Sequence, residues 1–181
     1  MYQFKIQLLQ GNNSVWRRIL VSEDTSFREL HEIISIVMDW DVSQSFDFFF
    51  QDIYYYIEGK NLDFNPNFGL FSDDEELFRV LEPISLYEDH LSSCIYTHKS
   101  KELWQMELSL EAKTTEKTKV QVTAFYGENI PASMDVEEYM EMSEALQDPF
   151  CSEAASIRKY LADRGVQFFD IENCNKKLNS K

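Results

Sequence analysis

A chain of 181 residues with 32 Asp and Glu against 17 Lys and Arg carries a formal charge of -15. A field of that sign repels nucleic acid and anionic membrane and attracts proteins with basic surfaces. Hydrophobic residues at 44% and aromatics at 14% provide a packed core, which excludes the acidic disordered class, where aromatics are scarce.

The acidity is uneven. Between Lys119 and Arg158 the chain runs 38 residues without a Lys or Arg, and eight Asp or Glu fall inside that stretch. The three cysteines, Cys94, Cys151 and Cys174, are odd in number and widely spaced, so reduced thiols are expected. No apolar run approaches the ~18 residues of a membrane span, and no apolar leader precedes a small-residue cleavage site. The expectation is a cytoplasmic protein with one domain over 1–181.

In chain order, Tyr2, Phe4, Ile6 and Leu8 alternate with polar residues as in a half-buried strand. Gly11-Asn12-Asn13-Ser14 turns the chain into a returning strand over Val15 to Val21. Ser26 and Glu29 form a capping box that opens a helix to about Met38, with Phe27, Leu30, Ile33, Ile34 and Val37 as its apolar face. Phe46 to Phe50 and Ile53 to Ile57 read as strands, and 61–76 as a loop. Ser85 with Glu88 suggests a short helix after Pro83. Strands follow at 94–98, 103–111 and 118–126, the last two joined by a turn at 113–117. Asp135 with Glu138 opens a helix to about Leu146, Ser152 starts another that ends at Gly165, and a short helix covers 171–178. Hairpins rather than βαβ crossovers predict α+β: a mainly antiparallel sheet, a core helix after the first hairpin, and a helical C-terminal portion over about 135–178.

Chemistry-bearing patterns are few. Glu137, Glu141, Glu144 and Asp148 recur at spacings of four, three and four, which lines them along one helix face opposite Val136, Tyr139, Met140 and Leu146. At ~1.5 Å rise per residue their steps are about 5–6 Å, the scale of neighbouring phosphates on one nucleic-acid strand. A second acidic run, Asp73-Asp74-Glu75-Glu76, lacks the alternating oxygen ligands and central Gly of a calcium loop. His31, His90 and His98 stand outside any zinc-site or deaminase pattern. No Gly-rich phosphate loop or nucleophile elbow occurs. Trp16-Arg17-Arg18 places two cations in an acidic chain, which Arg–Trp stacking or local carboxylates would satisfy. These residues assign no catalytic group, no cofactor and no metal site.

Trp16-Arg17-Arg18, then Leu30-His31-Glu32-Ile33-Ile34, then Met38-Asp39-Trp40-Asp41 resemble the opening of the Ri-plasmid ORF-three-like family, found in bacteria, archaea, plasmids and other mobile elements. The resemblance continues through Tyr96–Trp104, Tyr139–Pro149, Phe168-Phe169-Asp170, Asn175 and Leu178. It implies a fold and a mobile-element setting but no reaction. Against the family pattern, Asp39 stands in place of Gly, Gln44 or Ser45 in place of a His, Met106 in place of another, and Tyr96-Thr97-His98-Lys99-Ser100 in place of a Tyr-Asp-x-Gly-Asp motif. A polar site built from those positions in relatives would be largely lost in this chain.

The reading that follows is a binder rather than an enzyme. It is an acidic, mobile-element-encoded interaction protein that inhibits a basic nucleic-acid-handling protein, in the manner of anti-CRISPR and nucleic-acid-mimic inhibitors. The partner would be a basic nucleic-acid-binding protein such as a CRISPR effector or its ribonucleoprotein. Glu137, Glu141, Glu144, Asp148 and Asp73, Asp74, Glu75, Glu76 are the candidate contacts, with no direct contact to nucleic acid or membrane. Two alternatives stay open: a metal-dependent hydrolase or nuclease using scattered carboxylates with His31 or His98, and a host protein whose acidity serves only solubility.

Overall fold

In a computed structural model, residues 1–11, 15–59 and 79–180 are described. Strands β1 (Tyr2–Leu8) and β2 (Trp16–Val21) form the expected hairpin, paired from Tyr2 opposite Val21 to Gln7 opposite Trp16. Helix α1 (Phe27–Met38) starts at the capping box, where Ser26 Oγ accepts from the Glu29 N–H and Glu29 reaches back to the Ser26 N–H. Strands β3 (Ser45–Phe50), β4 (Tyr55–Gly59), β5 (Cys94–Lys99), β6 (Leu103–Lys113) and β7 (Gln121–Tyr126) complete one seven-stranded antiparallel sheet of order β4-β3-β5-β6-β1-β2-β7. Helices α2 (Val136–Ala145), α3 (Ala154–Asp163) and α4 (Ile171–Leu178) follow, so the fold is α+β with its helices toward the C-terminus. No helix among the described residues is long and apolar enough to cross a membrane.

Period-two burial sorts the sheet's two faces. Phe4, Ile6, Leu8, Phe48, Phe50, Tyr96, Trp104, Met106 and Leu108 all point to one face and are fully buried. Phe27, Leu30, Ile34 and Val37 of α1 cover that face, with Phe27 5.2 Å from Phe48 and 5.8 Å from Phe50 between ring centres. Burying a side chain of this size contributes roughly 1.5–3 kcal/mol. The opposite face stays half exposed and is laced by ion pairs. Lys99 bridges Asp47 at 2.9 Å and Glu58 at 2.7 Å, and Arg18 grips Glu111 through two bonds of 2.5 and 2.8 Å.

Several expected elements shift. The chain turns over 51–54, with Tyr54 at φ 55, so β4 begins at Tyr55 rather than Ile53. After Pro83 a 3₁₀ segment spans Ile84–Ser93, capped by Pro83 and not by Ser85. Helix α3 has Glu153 rather than Ser152 at its N-cap and no side-chain bond there. Strands β6 and β7 are consecutive in sequence yet lie apart, with the β1–β2 hairpin inserted between them. Gly165 does end α3, at φ 95.

Candidate functional site

Three acids of the stripe, Glu137, Glu141 and Glu144, sit on α2 where their spacing predicts. Asp135 caps α2 by accepting from the Glu138 N–H at 2.9 Å, and Tyr139 and Ser143 are the buried contacts of that helix. Ser143 Oγ donates to Gly11 O at 3.1 Å. Gly11, at φ 73, lies so close to this helix that an added Cβ would come within 2.5 Å of the Tyr139 ring, so a side chain there would push α2 away. With that face pinned, Glu137, Glu141 and Glu144 are exposed. Together with Gly11 and Met140 they line a shallow concavity of about 270 Å³.

Two details differ from expectation. Met140, expected on the packed face, is 45% exposed and joins the acidic side, while Met142 packs toward the core. Asp148 is exposed but lies past the helix end, in a turn where its Oδ1 accepts from the Phe150 N–H at 2.9 Å. The run Asp73, Asp74, Glu75, Glu76 lies outside the described residues.

On the far side of α2 a larger cleft of about 510 Å³ opens between β7, α2 and α3. Phe125, Tyr126, Leu146, Gln147, Phe168 and Phe169 are among its walls. Below it lies Arg17, which is fully buried. Its guanidinium stacks 4.1 Å from the Phe169 ring centre and donates to Trp16 O, Tyr126 O, Glu128 O and Asn129 Oδ1 at 2.7–3.0 Å. All of these are neutral oxygens, and Arg17 Nε has no hydrogen-bond partner among the described residues. Burial lowers its pKa to about 10, so it stays charged at neutral pH. Carboxylates do not satisfy Arg17 as the sequence suggested; Arg18 alone follows that pattern, stacked on Trp16 and paired with Glu111. The signal for Arg17 was present in the alternation, since Arg17, Ile19 and Val21 share the inward phase of β2.

The histidines are held as structural groups. His31 is 1% exposed, stacked on Phe46 at 4.0 Å, and its Nε2–H donates to Val42 O at 3.0 Å. That tautomer leaves Nδ1 to accept from the Tyr96 hydroxyl at 2.8 Å. His98 Nε2–H donates to Asp41 O at 3.1 Å, and its buried Nδ1 has no partner among the described residues. The two imidazoles thus hold consecutive carbonyls of the segment that leaves α1. Burial lowers the His31 pKa to about 4 and shifts His98 the same way, so both are neutral. His90 pairs with Asp52 at 2.6 Å on the surface. No group of three or more His, Cys, Asp or Glu side chains converges on a common point among the described residues.

The positions that depart from the family pattern are structural here. Asp39 closes α1 in the left-handed region at φ 59, a conformation that favours Gly, and is tied to Lys177 of α4 at 2.6 Å. Met106 is fully buried, and Gln44 Nε2 donates to Asp41 Oδ2.

Residues 1–178 match the plasmid pRiA4b ORF-3-like protein family, and the chain belongs to it. The fold is similar to the crystal structure of a protein of unknown function, MM3350, from Methanosarcina mazei Go1. The two share 24% identity over 95% of this chain and 96% of that one, with a TM-score of 0.62. No curated protein matches the chain.

Proposed function

We propose that this member of the plasmid pRiA4b ORF-3-like family is a mobile-element-encoded acidic interaction protein that engages a basic nucleic-acid-handling protein and inhibits it. The observation that carries this reading is the exposed face of α2. Glu137, Glu141 and Glu144 stand exposed along it, with Asp148 exposed in the turn that follows, inside 38 residues that contain no Lys or Arg. Like charges three and four apart cost a helix roughly 0.2–0.5 kcal/mol per pair, and no Lys or Arg among the described residues is paired with them. A groove lined by Lys and Arg would offset them on contact. The partner would be a protein whose groove normally holds guide or target nucleic acid, such as a CRISPR effector. Occupation of that groove is the mechanism, and steering by the net charge makes association fast and strongly salt-dependent.

A variant carrying Glu137→Gln, Glu141→Gln, Glu144→Gln and Asp148→Asn tests this. Basic proteins captured from a host lysate at low salt are purified, and their affinity for both versions is measured across a salt series, with displacement of bound RNA as the inhibitory readout. Weaker binding, a shallower salt slope and lost displacement for the variant are expected, at an unchanged or slightly raised melting temperature. Equal affinities with equal slopes would remove α2 as the contact surface.

A further inference from the structure

We infer that the cleft between β7, α2 and α3 is an anchor groove that takes one large apolar or aromatic side chain from a basic segment of the partner protein. The inference rests on the acidic-partner reading above and adds to it a second, apolar determinant.

The first ground is exposure that folding leaves uncompensated. Phe168 is 90% exposed and Tyr126 61% exposed, and both stand at the walls of the 510 Å³ cleft. Scattered exposed apolar residues are ordinary, but several converging on one concavity mark a contact surface. Small-molecule sites usually enclose most of their ligand. Here the Phe168 and Tyr126 walls stand in solvent over buried Leu161 and Phe169, so a side chain carried on a protein segment, which brings its own cover, fits better.

Charge complementarity fixes the rest of the occupant. The floor ring, Phe169, is backed by the buried guanidinium of Arg17, so a cation pushed to the bottom would meet a like charge. The anchor itself is therefore uncharged. Around the rim the sign reverses. Glu128, the one charged residue among the described walls of the cleft, is acidic, and the exposed Asp148 follows the wall residue Gln147 in the chain. The segment that fits has an apolar centre with Lys or Arg on its flanks. A second copy of this chain fits badly, because each copy carries -15 and docking would bring the acidic rims together.

The test uses three synthetic peptides of identical length and labelling: one with a central Trp flanked by Lys and Arg, one with Ala replacing the Trp, and one with Glu replacing the basic residues. Affinity for the intact protein is read by fluorescence anisotropy. The Trp peptide should bind about tenfold or more tightly than the Ala peptide. Phe168→Ala, at a position too exposed to affect folding, should abolish that difference. Phe150→Ala, equally exposed but not a wall of the cleft, should preserve it. The Glu peptide should not bind. Trp and Ala peptides of equal affinity, both weakened by the fourfold acidic variant, would overturn the groove while leaving the acidic reading intact. Absence of binding by the Trp peptide would also overturn the groove. Concentration-dependent dimers in sedimentation that Phe168→Ala dissolves would overturn the basic occupant in favour of a second copy.

Discussion

The sheet with α1 and the C-terminal helices are built on different physical terms. Beneath α1, ring after ring is fully buried, from Phe27 through Phe48, Phe50 and Tyr96 to Trp104. In the C-terminal portion the helices bury little: Tyr139 and Ser143 on α2, Leu161 on α3 and Cys174 on α4. Polar ties supplement that packing. Trp40 Nε1 donates to Ile130 O at 2.7 Å, Trp104 Nε1 to Ala132 O at 3.1 Å, and Tyr160 to Glu138. Phe150, Phe168 and the acidic row all belong to this loosely buried region. Stability is concentrated in one region and surface chemistry in the other, so substitutions on the α2 face are decoupled from folding.

The largest effect that probes this contrast is a core truncation. Phe48→Ala should cost about 3–5 kcal/mol, whereas Leu161→Ala, at the edge of the core, should fall near the low end of the roughly 2–5 kcal/mol range for such changes. Urea melts compare them directly, and equal costs would break the distinction. Hydrogen exchange sharpens it: amides of α2 and α3 should exchange through partial opening while those of α1 follow global unfolding.

Acid titration comes next. His31 is neutral in the native state with a pKa near 4, against an ordinary value of about 6.5, so below pH 6.5 the unfolded chain binds a proton that the folded chain refuses. Stability is therefore full above pH 6.5 and declines as pH falls toward 4, by up to about 3 kcal/mol from this residue. His98 adds in the same direction, since burial disfavours its charged form. Denaturant melts between pH 7 and 4.5 should show this slope, and His31→Gln should flatten it. An unchanged slope in that variant would place the titration elsewhere.

The smallest effect concerns the ties. Glu138→Gln weakens the bond from Tyr160 and the 3.7 Å contact to Arg164, and should cost under about 1 kcal/mol by thermal melting because both partners are substantially exposed. A larger loss would mean that the polar ties, rather than Leu161, hold α3 in place.

Local chemistry was legible in the sequence, and long-range pairing was not. The Tyr2-Phe4-Ile6-Leu8 alternation, the Ser26–Glu29 box and the Asp135 cap each act within a few residues, and each appears in the fold. The insertion of the β1–β2 hairpin between β6 and β7 is set by registers more than 80 residues apart in sequence, such as Phe4 opposite Leu110 and Arg17 opposite Phe125. Nothing in the turn at 113–117 encodes it. The acidic row was readable because helical period alone orders it. The cleft was not, because its walls come from β7, α2, α3 and the segment after α3, and only folding joins them. Ser85 and Ser152 misled because a good capping residue signals a helix start only where the chain also enters at the right angle.

At the free side of β7, the Asn175 side chain takes the place of a neighbouring strand: its Nδ2 donates to Val122 O at 3.1 Å and its Oδ1 accepts from the Val122 N–H at 2.7 Å. Only an amide can do both. Slow deamidation to Asp would put an acceptor-only carboxylate against the Val122 carbonyl, replacing attraction with repulsion. The strand would then present an unpaired backbone to other molecules, the usual starting point for edge-to-edge aggregation. A single chemical ageing event at one residue would thus open the edge of β7.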